Sequence, residues 1–178
     1  MSKWSIKSKS SNIPPACGFL EGTRILCLDK DGNETYCQIQ EIRPGTSVKT
    51  FHNGYLPVKQ IGTKKVFHNP KTSPKLYICK RKDYQGKLLE DFVLLDTQYL
   101  LVDEKQEDDT TTDSKYKQMS RLDKRHIPYE TKGTFSIWQF SLEDIDPKKT
   151  FGIFANGGLL VESSSQYYLT NHSGMVMV

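Results

Sequence analysis

The chain has little of what marks an exported, membrane-spanning or metal-dependent protein. No apolar run approaches the ~18 residues of a membrane span, and Met1-Ser2-Lys3-Trp4-Ser5 opens no hydrophobic leader, so no membrane contact and a cytoplasmic setting are expected. Cysteine is sparse: Cys17, Cys27, Cys37 and Cys79 are the four, and no pair has zinc-binding spacing. Disulfides rarely persist in a reducing compartment, so Cys27, Cys37 and Cys79, each among strand residues, read as small buried hydrophobes. Without export the sequons Asn33-Glu34-Thr35 and Asn171-His172-Ser173 carry no meaning. Histidine is limited to His52, His68, His126 and His172. No phosphate-binding glycine loop, metalloprotease helix or Ser-His-Asp order occurs. Glu143, Asp144 and Asp146 beside Pro147 lack a second ligand set and read as a turn, so neither a metal nor a cofactor is expected.

What the chain does have is β-strand pattern. Aromatics at 11% and hydrophobics at 36% suit a folded domain. Residues 1–16, rich in Ser and Lys and ending in Pro14-Pro15-Ala16, read as a flexible basic arm. Thr23 to Leu28 reads as a strand leading to an Asp31-Gly32 turn, after which Thr35 to Ile42 alternates with period two. Pro44-Gly45 and Asn53-Gly54 mark further turns, with a strand from Tyr55 to Gly62. Lys75 to Ile78 and Phe92 to Leu95 read as strands. Residues 104–114 hold no apolar side chain and read as an acidic, solvated loop. Residues 115–130 are irregular in spacing, with room for one helical turn. Thr134 to Leu142 alternates cleanly, and Phe151 to Glu162 forms a hairpin about Asn156-Gly157. About ten short strands and scarcely any amphipathic helix give an all-β domain over 17–166, followed by a C-terminal tail over 167–178.

Charge divides the chain. Residues 1–90 carry 16 Lys and Arg against 7 Asp and Glu, or +9, whereas residues 91–178 carry 9 against 14, or -5. Lys75, Lys80, Arg81, Lys82 and Lys87 form a basic cluster interleaved with Tyr77 and Tyr84. Such a cluster can grip phosphates, with the tyrosines as stacking faces, which makes nucleic acid a candidate partner. A solvated lysine-rich loop is the commoner meaning of the same pattern.

Three blocks, in order, carry a family resemblance. Cys17-Gly18-Phe19-Leu20-Glu21-Gly22-Thr23 resembles the opening of Hint domains, the hedgehog/intein autoprocessing modules, in which a cysteine is followed by Phe or Leu, two variable residues and Gly-Thr. Ile42-Arg43-Pro44-Gly45-Thr46-Ser47-Val48-Lys49-Thr50 resembles the second stretch of that family, with Thr46 at the place of an aspartate. Leu95-Asp96-Thr97-Gln98 before Tyr99-Leu100-Leu101-Val102-Asp103 resembles the block that holds a Thr-x-x-His. The end, Phe154-Ala155-Asn156-Gly157-Gly158-Leu159-Leu160-Val161-Glu162-Ser163-Ser164-Ser165, resembles Hint-like modules of large DNA viruses.

The resemblance, over roughly residues 17–165, implies a pseudo-twofold, horseshoe-like fold of short antiparallel strands. It also implies a catalytic thiol, a threonine and a histidine at positions held here by Gly18, Leu95 and Gln98. In the family the thiol attacks the preceding carbonyl while the Thr/His pair polarises the amide and protonates the leaving nitrogen. None of the three residues can do this, since an amide does not shuttle protons near neutrality and glycine and leucine carry no reactive group. The expectation is a catalytically inactive structural or interaction module, viral in origin and cytoplasmic in the infected cell or packaged in the particle. Its partner is a protein not identified by the sequence, or a second copy. The alternatives are a self-cleaving enzyme using Cys17, with flexible Gly18 letting the thiol fold back, and a basic nucleic-acid-associated protein.

Overall fold

The computed structural model describes residues 18–101, 116–118 and 127–178. The arm, Cys17, His126 and the acidic loop lie outside those residues. The described part is almost wholly antiparallel β-sheet, as the strand pattern requires.

Two long strands form its spine. β5 (Tyr55–His68) and β11 (Gly133–Leu142) pair antiparallel from Val58↔Leu142 to His68↔Gly133, with a register shift at Ser141/Leu142. β5 runs six residues beyond the expected Gly62. Lys64 and Lys65 obscure the pattern there, yet the backbone is held in register by β11 across Thr63 to His68. β11 also departs from simple alternation, because both its faces are buried from Ile137 to Leu142.

Outward from this ladder each side begins with a short strand. On one side β1 (Phe19–Leu20) joins β11 to β7 (Phe92–Leu95), with Phe19 opposite both Trp138 and Leu94. β7 forms a hairpin with β6 (Leu76–Cys79), and β10 (Ile127–Pro128) pairs with β6. On the other side β4 (Ser47–Lys49) joins β5 to β2 (Arg24–Leu28). β2 meets β12 (Gly152–Ala155), which pairs with β13 (Leu159–Glu162), then β8 (Tyr99–Leu101) and β9 (Tyr116–Gln118). β3 (Glu34–Gln38) pairs, among the described residues, with β2 alone.

The β2–β3 turn forms as its residues require: the Asp29 carboxylate accepts the backbone N–H groups of Asp31 and Asn33, and Gly32 takes φ 82°. The expected strand to Ile42 stops at Gln38 and becomes a 3₁₀ turn over Ile39–Glu41. Ile39 and Ile42 are both buried, and a spacing of three puts two residues on one side of a 3₁₀ turn but on opposite faces of a strand.

The two Asn-Gly turns differ. Asn53-Gly54 is exposed, whereas Asn156 is 3% exposed with φ 46°, its Oδ1 accepting the N–H of Arg24 at 2.7 Å. A Cβ on Gly157 would lie 2.3 Å from the carbonyl oxygen of Lys87, so only glycine fits there.

Residues 167–178, read from sequence as a tail, are built into the sheet. Helix α1 (Gln166–Asn171) is capped by Ser165 Oγ, which accepts from the N–H of Tyr168, and buries Tyr168 and Leu169. β14 (Val176–Met177) then pairs with Thr63 and Gly62 of β5.

Apolar residues gather in two clusters. The larger includes Phe19, Phe92 and Phe140, whose rings stack at 6.3 Å about Phe19. The smaller, on the opposite face of β11, is Leu76, Leu95 and Ile137, flanked by Leu20, Val66 and Phe135.

Candidate functional site

The three positions singled out by sequence meet. Gly18 is buried just before β1, and its carbonyl accepts the N–H of Leu95 at 3.2 Å. A turn after β7 returns the chain, with Gln98 N–H donating to Leu95 O at 3.0 Å, so that residues three apart both face Gly18. The Gln98 side chain is fully buried, and its Oε1 accepts the Gly18 N–H at 3.1 Å. Its Nε2 donates to the carbonyl of Glu162 at 2.8 Å. One amide thus bridges the peptide bond entering Gly18 and the one leaving Glu162. A backbone donor at one end and a backbone acceptor at the other fix which end of the amide is oxygen.

Two residues overlooked in the sequence complete the centre. Gln139 is fully buried, its Nε2 donating to Gln98 Oε1 at 3.4 Å and its Oε1 accepting Phe140 N–H at 2.9 Å. A lone amide in the apolar run from Ile137 to Leu142 was the available signal. Ile137 is the second. A Cβ on Gly18 would lie 2.0 Å from Ile137 Cγ2 and 3.0 Å from Leu95 Cδ1. The volume beside Gly18 is filled by aliphatic carbon.

Glu162, at the end of β13, adds an acid at the border of this centre. Burial pushes its carboxyl above the usual carboxylate range, against the opposing hydrogen bond from Thr150 Oγ1. Asp96, in the turn between Leu95 and Gln98, is likewise raised by burial, with Lys75 pulling the other way.

Histidine takes no part here among the described residues. His68 Nδ1 accepts the N–H groups of Lys75 and Leu76 at 3.0 and 3.1 Å, which leaves Nε2 as the donor to Tyr129 O at 2.6 Å. It is a fully satisfied core histidine. His52 lies against Phe51, and His172 between Tyr167 and Tyr168.

The basic cluster is divided by the fold. Lys80, Arg81 and Lys82, with Gly86 and Asp91, line an open hollow of about 580 Å³ at the β6–β7 loop. The Arg81 N–H donates to Asp91 Oδ1 at 2.8 Å, and Gln85 and Gly86 turn the loop with φ 51° and 77°. Lys75 stands at the other end of β6, roughly 16 Å away at the usual rise per residue. Lys87 faces the Asn156-Gly157 turn, its carbonyl accepting Gly158 N–H at 2.6 Å. Tyr84 offers no stacking face: it is 7% exposed, and its hydroxyl donates to Cys79 Sγ at 3.2 Å. Its place in a 3₁₀ turn rather than a strand points it inward.

The acidic stretch is a turn. Asp144 Oδ1 accepts the N–H of Asp146, and Asp146 Oδ1 that of Lys148.

No protein-family model matches the sequence, and no curated protein sequence matches it. Among solved structures the chain is similar to one titled "Crystal structure of VidaL intein (selenomethionine variant)", with 13% identity over 84% of this chain and 97% of that chain, at a TM-score of 0.46. A likeness at that level assigns no role to any residue.

Proposed function

We propose that this chain is a Hint-fold protein without autoprocessing activity, acting as a structural or interaction module. The observation that carries the reading is the meeting of Gly18, Leu95 and Gln98 around one sealed point. Acyl transfer at the bond before residue 18 needs a nucleophile, a group that polarises the amide and a proton for the departing nitrogen. Gly18 supplies no nucleophile, and the methyl of Ile137 lies where its Cβ would project. Leu95 places a side chain of carbon alone beside it. Gln98 turns its acceptor oxygen to the Gly18 nitrogen, the atom that would have to receive the proton. The amide network is satisfied as it stands and binds two remote segments of chain.

The self-cleaving alternative rests on Cys17, which lies outside the described residues. The viral setting is supported by the likeness of residues 154–165 to virus-borne modules. Intact-mass measurement separates the inactive and self-cleaving readings. Purified protein held for days with excess thiol or hydroxylamine is expected to keep its full mass. Scission before Cys17 would promote that thiol to nucleophile, and scission between Cys17 and Gly18 would show the sealed centre to be active.

A further inference from the structure

The β2–β3 hairpin brings together two of the thiols read from sequence as inert. Ile25 stands opposite Cys37, and Cys27 opposite Thr35. Positions 25 and 27 share a face of β2, so Cys27 and Cys37 project to one side as diagonal neighbours. The Cys27 thiol donates to the Ile25 carbonyl at 3.2 Å, so it stays on the face it shares with Cys37. The two thiols are unequal in access: Cys27 is 0% exposed, whereas Cys37 is partly exposed on a strand whose other side is unpaired among the described residues. Both are free thiols, and Cys79 lies apart in β6.

We propose that Cys27 and Cys37 form a thiol-modification site that a small-molecule disulfide converts reversibly to an intramolecular disulfide. The accessible Cys37 thiolate attacks one sulfur of the disulfide, forming a mixed disulfide and releasing one thiolate. Cys27, as thiolate, then attacks the Cys37 sulfur and releases the second. Two protein S–H groups are oxidised, two electrons reduce the small disulfide to two thiols, and the two protons end on those thiols. Burial and the neighbouring Cys37 hold the Cys27 thiol well above its ordinary range, so the second step is the slow one and quickens as pH rises.

Diagonal Cα atoms in a regular ladder stand about 7–8 Å apart, against about 6.8 Å at the upper end for a disulfide, so closure needs a shift of order 1 Å. β3, bonded on one side only among the described residues, can make that shift. Closure links the strands across the Asp31-Gly32 turn and fixes their register.

Incubation with oxidised glutathione, followed by intact mass, peptide mapping and thermal melting, tests this. The expected product is lighter by two hydrogens, carries a Cys27–Cys37 link, melts about 5–10 °C higher and reverts with dithiothreitol. Cys27→Ala should instead keep one glutathione on Cys37. Retention of glutathione by the wild type, absence of reaction at Cys37, or a link involving Cys17 or Cys79 would overturn the proposal. The wild-type product alone decides it, whatever the stability of the variant.

Discussion

The β6–β7 hairpin has two ends with opposite character. At one, Leu76 pairs with Leu95, and Leu95 closes with Ile137 over Gly18 until no side chain can be added. At the other, the loop from residue 80 to 91 opens into a hollow lined by Lys80, Arg81 and Lys82. The end that the resemblance marks for chemistry is buried, with aliphatic carbon packed beside Gly18 and its amides hydrogen-bonded. The other end is charged and open to solvent. Among these two regions a partner has access only to the second.

Forcing a side chain into the closed end gives the largest expected effect. Gly18→Cys should cost about 3 kcal/mol by urea unfolding, because overfilling a packed site displaces Ile137 and Leu95, and the purified variant should show no cleavage. Ile137→Ala in that background should cost less than in the wild type, with a coupling of about 1–3 kcal/mol in the double-mutant cycle. Wild-type stability in Gly18→Cys would show that the site is open after all.

Gln98→Leu sharpens the same contrast with a smaller change. It strands the Gly18 N–H and the Glu162 carbonyl in a buried setting, and a loss of about 2 kcal/mol is expected in chemical denaturation. A neutral outcome would mean that the amide bridge does not hold the two segments together.

At the open end, stability should hardly move. The triple change Lys80→Glu, Arg81→Glu and Lys82→Glu should stay within about 0.5 kcal/mol of wild type for each substitution. If the hollow binds nucleic acid, the wild type should shift DNA at low salt with a log–log salt slope of about -2.7 for about three phosphates, and the variant should not. No shift by the wild type at about 10⁻⁴ M would remove nucleic acid from the partners.

Turn chemistry and strand pattern were legible in the sequence, as Asp31-Gly32, Phe92–Leu95 and Gly133–Leu142 show. Gly18, Leu95 and Gln98 could be named together only through the family resemblance, and hydrogen bonds between segments distant in the chain bring them into contact. What fills the centre was not legible. Ile137 reads as an ordinary strand residue, and its contact with Gly18 comes from pairing across more than a hundred residues. The end of β5 was hidden for a related reason: Thr63, Lys65 and Phe67 owe their extended backbone to β11, not to an apolar face of their own. Linear adjacency also joined Lys75 to a cluster from which the length of β6 separates it.

The paired Asn-Gly turns have a consequence for how the chain ages. Asparagine before glycine deamidates when the glycine nitrogen swings onto the side-chain carbonyl carbon, a rearrangement that needs a pliable backbone. Asn53-Gly54 lies exposed at a loop tip and is free to make that motion. At Asn156 the side chain is tethered to Arg24 and the glycine is pressed against Lys87, so the ring cannot close without opening the fold. Charge acquired in storage therefore accumulates first at residue 53, and its appearance at residue 156 marks molecules that have come apart.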